Sequence, residues 1–164
     1  MDPKVIGMSQ ANAEFLANLV VRNARFVIVG GTAVKFYLPE REVDDLDVLI
    51  DPVLANAELV IEAINAGGVL NYQFEPSALT KPKVQWPIKN YYYLDVLTPD
   101  AATDFECVWQ LSSLAEVAHQ PTPIRARIAG VASLIEMLGS SKEEKHRQDI
   151  ESLSKLGDVS KQKA

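Results

Sequence analysis

The chain has 164 residues and a formal net charge of −6, with 48% hydrophobic and 23% charged residues. This length predicts one domain with a sizeable core, and the composition is that of a globular protein. The net negative charge argues against broad electrostatic binding to DNA, because such binding depends on Lys and Arg neutralising phosphates.

Cys107 is the only cysteine, so no intrachain disulfide can form and a reducing compartment is favoured. The first residues show no secretory signal pattern, and no apolar run approaches membrane-spanning length. We therefore expect a cytoplasmic protein without a membrane contact. A single domain is predicted over residues 1–164, with a core at about 9–157 and a frayed tail at 158–164.

The first part of the chain predicts a helix, a strand and a second helix. An apolar stripe at helical spacing indicates a helix from Ser9, a suitable N-cap, to about Asn23. Residues 26–29 have the sequence FVIV and predict a short buried strand. The second helix is predicted at residues 32–38, and Pro39 ends it because proline lacks the N–H donor.

Two glycines, Gly30 and Gly31, stand between this strand and the second helix. Backbone N–H groups at a helix start that no side chain covers favour phosphate binding. Arg41 lies in the next loop, four residues before a pair of aspartates. It is either a phosphate or substrate contact or a solvated loop charge.

The paired aspartates are Asp45 and Asp47, two positions apart in a strand-like segment. Because strand side chains alternate, both carboxylates should project from one face while Leu46 and Val48 enter the core. Two close carboxylates repel and raise each other's pKa unless a cation joins them. Their hard oxygen atoms suit a magnesium ion that also holds nucleotide phosphates.

The middle of the chain predicts one helix and two strands. The helix covers residues 52–66, after which residues 84–88 form a strand that Pro87 confines to a sheet edge. A hairpin partner is predicted at residues 91–97. This second strand contains Asp95 between apolar neighbours.

After residue 97 the sequence pattern indicates secondary structure less clearly. Residues 104–111 predict a helix in which Cys107 is a buried, inert thiol. Alternation at residues 124–128 suggests a final edge strand with Arg125 and Arg127 on one face, toward substrate or water.

Two further helices are predicted from capping-box spacing. Ser133 with Glu136 would start one, and Ser141 with Glu144 would start the other, which ends near Gly157. Together the elements predict a compact α/β (α+β) domain, with a mixed twisted sheet of about five strands and helices mainly on one face. A doubly wound Rossmann sheet is the alternative, but its fingerprint needs a third glycine, which is missing after the pair.

The order of a glycine pair, a short helix, an arginine and an Asp-x-Asp strand resembles the DNA polymerase β-like nucleotidyltransferase superfamily. The chain is most similar to its small members: minimal nucleotidyltransferases, abortive-infection or toxin–antitoxin nucleotidyltransferases, and small drug nucleotidyltransferases. The resemblance covers about residues 26–97 well and the C-terminal helix more loosely. It implies a third metal carboxylate on a neighbouring strand, for which Asp95 is the candidate.

The resembled group often carries basic residues near the nucleotide on its C-terminal helix. Lys142, Lys145, Arg147 and Asp149 look like a version of this pattern with altered spacing. The resemblance therefore implies that Lys142 or Lys145 contacts phosphate, without indicating which.

The resemblance implies transfer of a nucleoside monophosphate from ATP or another NTP to an acceptor hydroxyl, with release of pyrophosphate. The acceptor would be a protein, an RNA such as tRNA, or a small molecule. Two Mg²⁺ ions, for which Mn²⁺ could substitute, would be held by Asp45, Asp47 and Asp95. Gly30 and Gly31 would cradle the triphosphate, with Thr32 as a further contact.

Three alternatives stay open. The carboxylates could serve a metal-dependent phosphodiesterase, although this reaction has less use for the glycine turn. The chain could be a non-catalytic or regulatory partner of the same fold that binds a cognate toxin or antitoxin chain. Finally, the aspartates could be scattered charges on an inert domain, although buried carboxylates are costly without a role.

Overall fold

The computed structural model describes residues 5–43, 45–66, 75–89, 92–139 and 143–162. Within these ranges the chain forms seven strands, six α-helices and a short 3₁₀ helix at Pro76–Leu79. The strands are β1 (Val5–Ile6), β2 (Phe26–Val29), β3 (Leu46–Ile50), β4 (Gln85–Ile88), β5 (Leu94–Leu97), β6 (Ser113–Val117) and β7 (Ile124–Ile128). The helices are α1 (Gln10–Val21), α2 (Gly30–Tyr37), α3 (Leu54–Asn65), α4 (Phe105–Leu111), α5 (Val131–Leu138) and α6 (Glu144–Gln162).

All seven strands belong to one mixed sheet, in the order β1-β6-β7-β2-β3-β5-β4. β3 is parallel to β5 and antiparallel to β2, and β4 closes one side of the sheet as an antiparallel partner of β5. The candidate site residues therefore come from three strands that are neighbours in the sheet. The antiparallel pairing of β2 with β3 excludes the all-parallel core of a Rossmann sheet.

The core surrounds the central strands. Every residue of β2 is buried, so both of its faces are covered. Helix α1 packs on α3, whereas α2, α5 and α6 contact one another as a second group. None of the helices in the described ranges is long and apolar enough to cross a lipid bilayer.

The predicted elements around the site are confirmed. Ser9 caps α1 by accepting a hydrogen bond from the backbone N–H of Asn12 at 3.1 Å. Leu46 and Val48 point into the core. Pro87 lies in the edge strand β4, where its missing N–H leaves no ladder bond unmade.

The sheet has seven strands where about five were predicted, because β1 and β6 have weak local patterns. β1 is only two residues long, and β6 leaves Leu114 58% exposed. β6 pairs with β7 along its whole length, so β7 is an interior strand. The prediction that residues 124–128 form an edge strand is therefore wrong. Arg127 on β7 stacks on the Trp109 ring at 4.3 Å, whereas Arg125 is exposed.

Several local predictions are wrong. Helix α5 begins at Val131 with Gly130 as its N-cap, and Ser133 is buried inside the first turn. A Cβ atom at Gly130 would lie 2.7 Å from the carbonyl oxygen of Leu111, so close packing requires glycine there. Cys107 is exposed rather than buried.

Two helix bounds also differ from those predicted. Helix α2 begins at Gly30, two residues before the predicted start, and α6 continues past Gly157 to Gln162. Ser141, the predicted cap of α6, lies outside the described residues.

Candidate active site

Two of the predicted carboxylates face each other across neighbouring strands. Asp47 on β3 and Asp95 on β5 are register partners in a parallel pair. Asp95 is 9% exposed. Asp45 lies just before β3, and its side chain is 37% exposed. The register of β3 and β5 thus brings the three aspartates to one end of the strand pair.

Gly30 lies directly beside this pair because Val29, its neighbour on β2, is the register partner of Asp47. Its φ of +64° is in the left-handed region that favours glycine. A Cβ atom at this position would lie 2.0 Å from Oδ2 of Asp47. Only glycine therefore lets the start of α2 approach the carboxylate this closely.

The pKa of Asp47 is raised to about 7. Burial is the main cause, followed by repulsion from Asp95, a side-chain hydrogen bond with Asp95 and repulsion from Asp45, whereas Lys89 lowers the pKa. A carboxyl group with this pKa can be present in either protonation state near neutral pH. Such a perturbed group in a cleft is a feature typical of functional sites.

Lys89 is a residue of the site that the sequence analysis did not identify as a candidate. Its ammonium Nζ lies 2.5 Å from Oδ2 of Asp45 and 3.3 Å from Oδ1 of Asp95. It follows β4, the antiparallel partner of β5, and this hairpin pairing was the signal that could have placed it near Asp95. Lys89 therefore acts as the counter-charge of the aspartates in this structure.

The Asp95 carboxylate has an incomplete set of hydrogen bonds despite this ion pair. Its Oδ1 atom is buried and makes no hydrogen bond of acceptable geometry with any described residue, although the Lys89 ammonium is near. Its Oδ2 atom accepts a long hydrogen bond of 3.5 Å from Nε2 of Gln85, a contact that the sequence did not predict. A buried acceptor left in this condition is costly unless a ligand completes it.

The carboxylates line a cleft of about 370 Å³ between the sheet and the C-terminal helices. Its walls include the following residues outside the three aspartates: Gly30, Gly31, Arg41, Gln85, Leu134, Met137, Glu143, Lys145 and His146. The two glycines and two of the predicted cationic residues thus share one cleft with the aspartates. Lys142 lies outside the described residues.

The cationic wall of the cleft is partly neutralised by acids of the chain. The Arg41 Nε group donates to both carboxylate oxygens of Asp149, at 3.0 and 3.1 Å, and Asp149 is buried. Lys145 lies 3.4 Å from the Glu143 carboxylate and is well exposed. Arg41 is therefore fixed by α6, whereas Lys145 is open to an incoming anion.

Thr32 follows the two glycines in α2 but does not line the cleft with them. Its hydroxyl donates to the backbone carbonyl of Asp45 at 3.3 Å, and it lines a second cavity instead of the cleft. The side chain of Thr32 thus supports the loop before β3. The predicted contact of Thr32 with phosphate gains no support from this position.

A magnesium site requires several hard oxygen donors around one ion. Among the described residues, no group of three His, Cys, Asp or Glu side chains has the arrangement of a metal site. The aspartates nevertheless supply hard oxygen donors, one of them a buried atom without a hydrogen bond, and a cation already lies between two of them as Lys89. The oxygen donors are therefore of the type that magnesium prefers, whereas Lys89 lies between two of the carboxylates in this structure.

The chain matches no protein-family model and no curated protein. The assignment of function therefore depends on the chemistry of this cleft.

Proposed function

We propose that the protein is a metal-dependent nucleotidyltransferase that moves a nucleoside monophosphate from an NTP to an acceptor hydroxyl. The observation that carries this proposal is the register pair of Asp47 and Asp95 beside the left-handed Gly30 at the start of α2. Carboxylates suit magnesium, and an uncovered helix start suits phosphate. The two features meet in one cleft.

In this reaction the acceptor oxygen forms a bond to the α-phosphorus while the bond to the β-phosphate oxygen breaks, and pyrophosphate leaves. Magnesium ions bound to the aspartates would supply positive charge to the attacking and leaving oxygens. Asp45 and Asp47 would be shared metal ligands, and Asp95 would be the ligand nearest the acceptor. The proton of the acceptor hydroxyl would pass to a carboxylate such as Asp95.

The other proposed contacts concern the triphosphate. Gly30 and Gly31 present backbone N–H groups at the start of α2 without side chains over them. Lys145 offers an exposed ammonium in the lining of the same cleft, where it is paired with the exposed Glu143. Both features suit a polyanionic ligand. Nucleotides and magnesium are abundant in the cytoplasm, where we place the protein.

The phosphodiesterase and the non-catalytic partner would each use fewer features of this site. A phosphodiesterase would need the carboxylates but not Gly30, whose conformation is tied to Asp47. A non-catalytic toxin–antitoxin partner would need neither the perturbed pKa of Asp47 nor the unsatisfied Asp95. Both alternatives predict a different response to nucleotide and metal.

Thermal unfolding with magnesium and nucleotide tests the proposal. Wild type should melt several degrees higher with Mg²⁺ and an NTP than with either alone, because a ligand stabilises only the state that binds it. Asp47→Asn should lose this joint stabilisation, and Glu58→Gln, an exposed acid on α3, should keep it. No joint stabilisation of wild type by any of the four common NTPs would contradict the proposal.

A further inference from the structure

A second cavity of about 470 Å³ adjoins the cleft, because Asp45 and Val43 line both. Its walls are mainly apolar side chains from the N-terminal segment, α2 and the loop before β3: Ile6, Met8, Phe36, Pro39, Val43 and Leu46. This volume and lining are typical of a site for a small organic molecule.

The polar groups of this cavity are mostly used by the chain itself. The Asn12 amide donates to the Tyr93 carbonyl and accepts from the Tyr93 N–H, both at 3.0 Å. Thr32 donates to the Asp45 carbonyl. Among the described residues that line the cavity, Asp45 and Lys35 are charged, and the Asp45 carboxylate is already paired with Lys89. A ligand would therefore have a largely apolar body with its polar group near Asp45.

Asp45 connects the cavity with the cleft, because it lines both. In phosphoryl transfer the attacking and leaving oxygens are roughly in line, so the acceptor and the pyrophosphate occupy opposite sides of the phosphorus. The cleft carries the glycines and Lys145 that suit pyrophosphate. The apolar cavity adjoins Asp45, and its described lining includes none of these groups, so it is the neighbouring space that we assign to the acceptor.

We propose that this cavity binds the acceptor, a small molecule with an apolar body and a hydroxyl group that reaches the aspartates past Asp45. The role of the bound molecule as acceptor rests on the function proposed above, whereas the binding of an apolar molecule does not. A cavity of this size holds a small molecule rather than a folded protein surface or an RNA strand. The net charge of −6 also disfavours RNA.

The test uses 2-naphthaleneethanol as a probe, an apolar body with one primary alcohol, and follows its fluorescence on titration with the whole chain. Two variants fill the cavity: Gly7→Trp and Met8→Trp. A Cβ atom at Gly7 meets no atom within 4 Å, so the larger side chain can be added there without a backbone clash. Val21→Trp is the matched control, because Val21 is 77% exposed on α1 and does not line the cavity.

We expect the probe to bind wild type and the control equally and to bind either filled variant about tenfold more weakly. All four proteins should keep the stabilisation by Mg²⁺ and NTP. Labelled nucleotide should transfer to the alcohol and not to 2-ethylnaphthalene, which lacks the hydroxyl.

Failure of wild type to bind the probe, or equal binding by both folded filled variants, would overturn the inference. Loss of nucleotide stabilisation in the filled variants would also overturn it, because the cavity would then hold the nucleotide. Probe binding that responds to the variants, without any nucleotide stabilisation of wild type, would contradict the proposed function and the acceptor role. The apolar ligand site itself would stand in that case.

Discussion

Asp47 and Asp95 are register partners on parallel neighbouring strands, and the start of a helix is packed against the first of them at Gly30. Burial and mutual repulsion raise the pKa of Asp47 to about 7. The folded chain therefore holds two carboxyl groups whose mutual repulsion Lys89 offsets only in part. This arrangement lowers stability in the metal-free protein and is the feature from which the proposed function derives.

The first prediction is that Asp47→Asn makes the metal-free protein more stable at pH 8, by about 1–3 kcal/mol. The folded-state pKa of Asp47 is above its ordinary value of 3.8. As pH rises through the window from about 4 to 7, the unfolded state releases this proton while the folded state retains it, so wild type loses stability. Above about pH 7 the difference is constant.

Denaturant unfolding of wild type and Asp47→Asn at pH 4, 6 and 8 without metal measures this difference. The gain of the variant should be small at pH 4 and largest at pH 8. Glu58→Gln should show no such trend. A variant less stable than wild type at pH 8 would mean that the Asp47 carboxylate is a structural residue.

The second prediction compares adjacent glycines. Gly30→Ala should destabilise the protein by about 2–4 kcal/mol, because the new Cβ meets Asp47 at a positive φ. Gly31→Ala should be neutral or stabilise by up to about 1 kcal/mol, because its Cβ would meet Val43 only at an ordinary 3.7 Å within α2. Thermal unfolding of both variants checks this contrast. Equal effects would show that Gly30 and Asp47 are not in close contact.

The third prediction concerns Lys89, which lies between Asp45 and Asp95. Lys89→Met should weaken the metal-free fold by roughly 1 kcal/mol, since the pair is partly exposed. It should also bind Mg²⁺ roughly fivefold more tightly, because the competing ammonium is removed. Calorimetric titration with Mg²⁺ measures this affinity, with the exposed Lys155→Met as control. Unchanged affinity would show that Lys89 does not compete with metal.

The fourth prediction concerns the ion pair of Arg41 with Asp149. Arg41→Met should cost about 3 kcal/mol, because it leaves the buried Asp149 carboxylate unpaired. Lys155→Met, which breaks an exposed pair with Glu151, should cost less than about 0.5 kcal/mol. A double-mutant cycle with Asp149→Asn separates the pair energy from the single effects. Additive single costs would contradict a coupled pair.

The elements near the site could be predicted because their patterns are local. The apolar, β-branched sequence predicts strand β2 at Phe26–Val29, and strand alternation predicts the burial of Leu46 and Val48; the structure confirms both. The glycine pair after this buried strand likewise predicts, from the local sequence alone, a turn into a helix. These features depend on neighbours in sequence, which the sequence displays directly.

The rest could not be predicted because it depends on contacts distant in sequence. The interior place of β7 follows from its pairing with β6 and β2, neither of which its own alternation reveals. Lys89 meets Asp45 across 44 residues, and Arg41 meets Asp149 across 108. Gly130 replaced the predicted serine cap of α5 because the chain passes close to Leu111 there.

Transfer of labelled nucleotide is the measurement that tests the proposed function most directly. Wild type is incubated with Mg²⁺ and each NTP labelled at the α-phosphate, in the presence of a small-molecule extract, RNA or protein, and products are identified by mass. We predict one acceptor class that gains one nucleoside monophosphate while pyrophosphate is released. Asp47→Asn and Asp95→Asn, both folded, should lose transfer by at least about 100-fold, whereas Glu58→Gln should retain it. Undiminished transfer by the folded Asp47→Asn protein, or no transfer by wild type to any class with any NTP, would contradict this assignment.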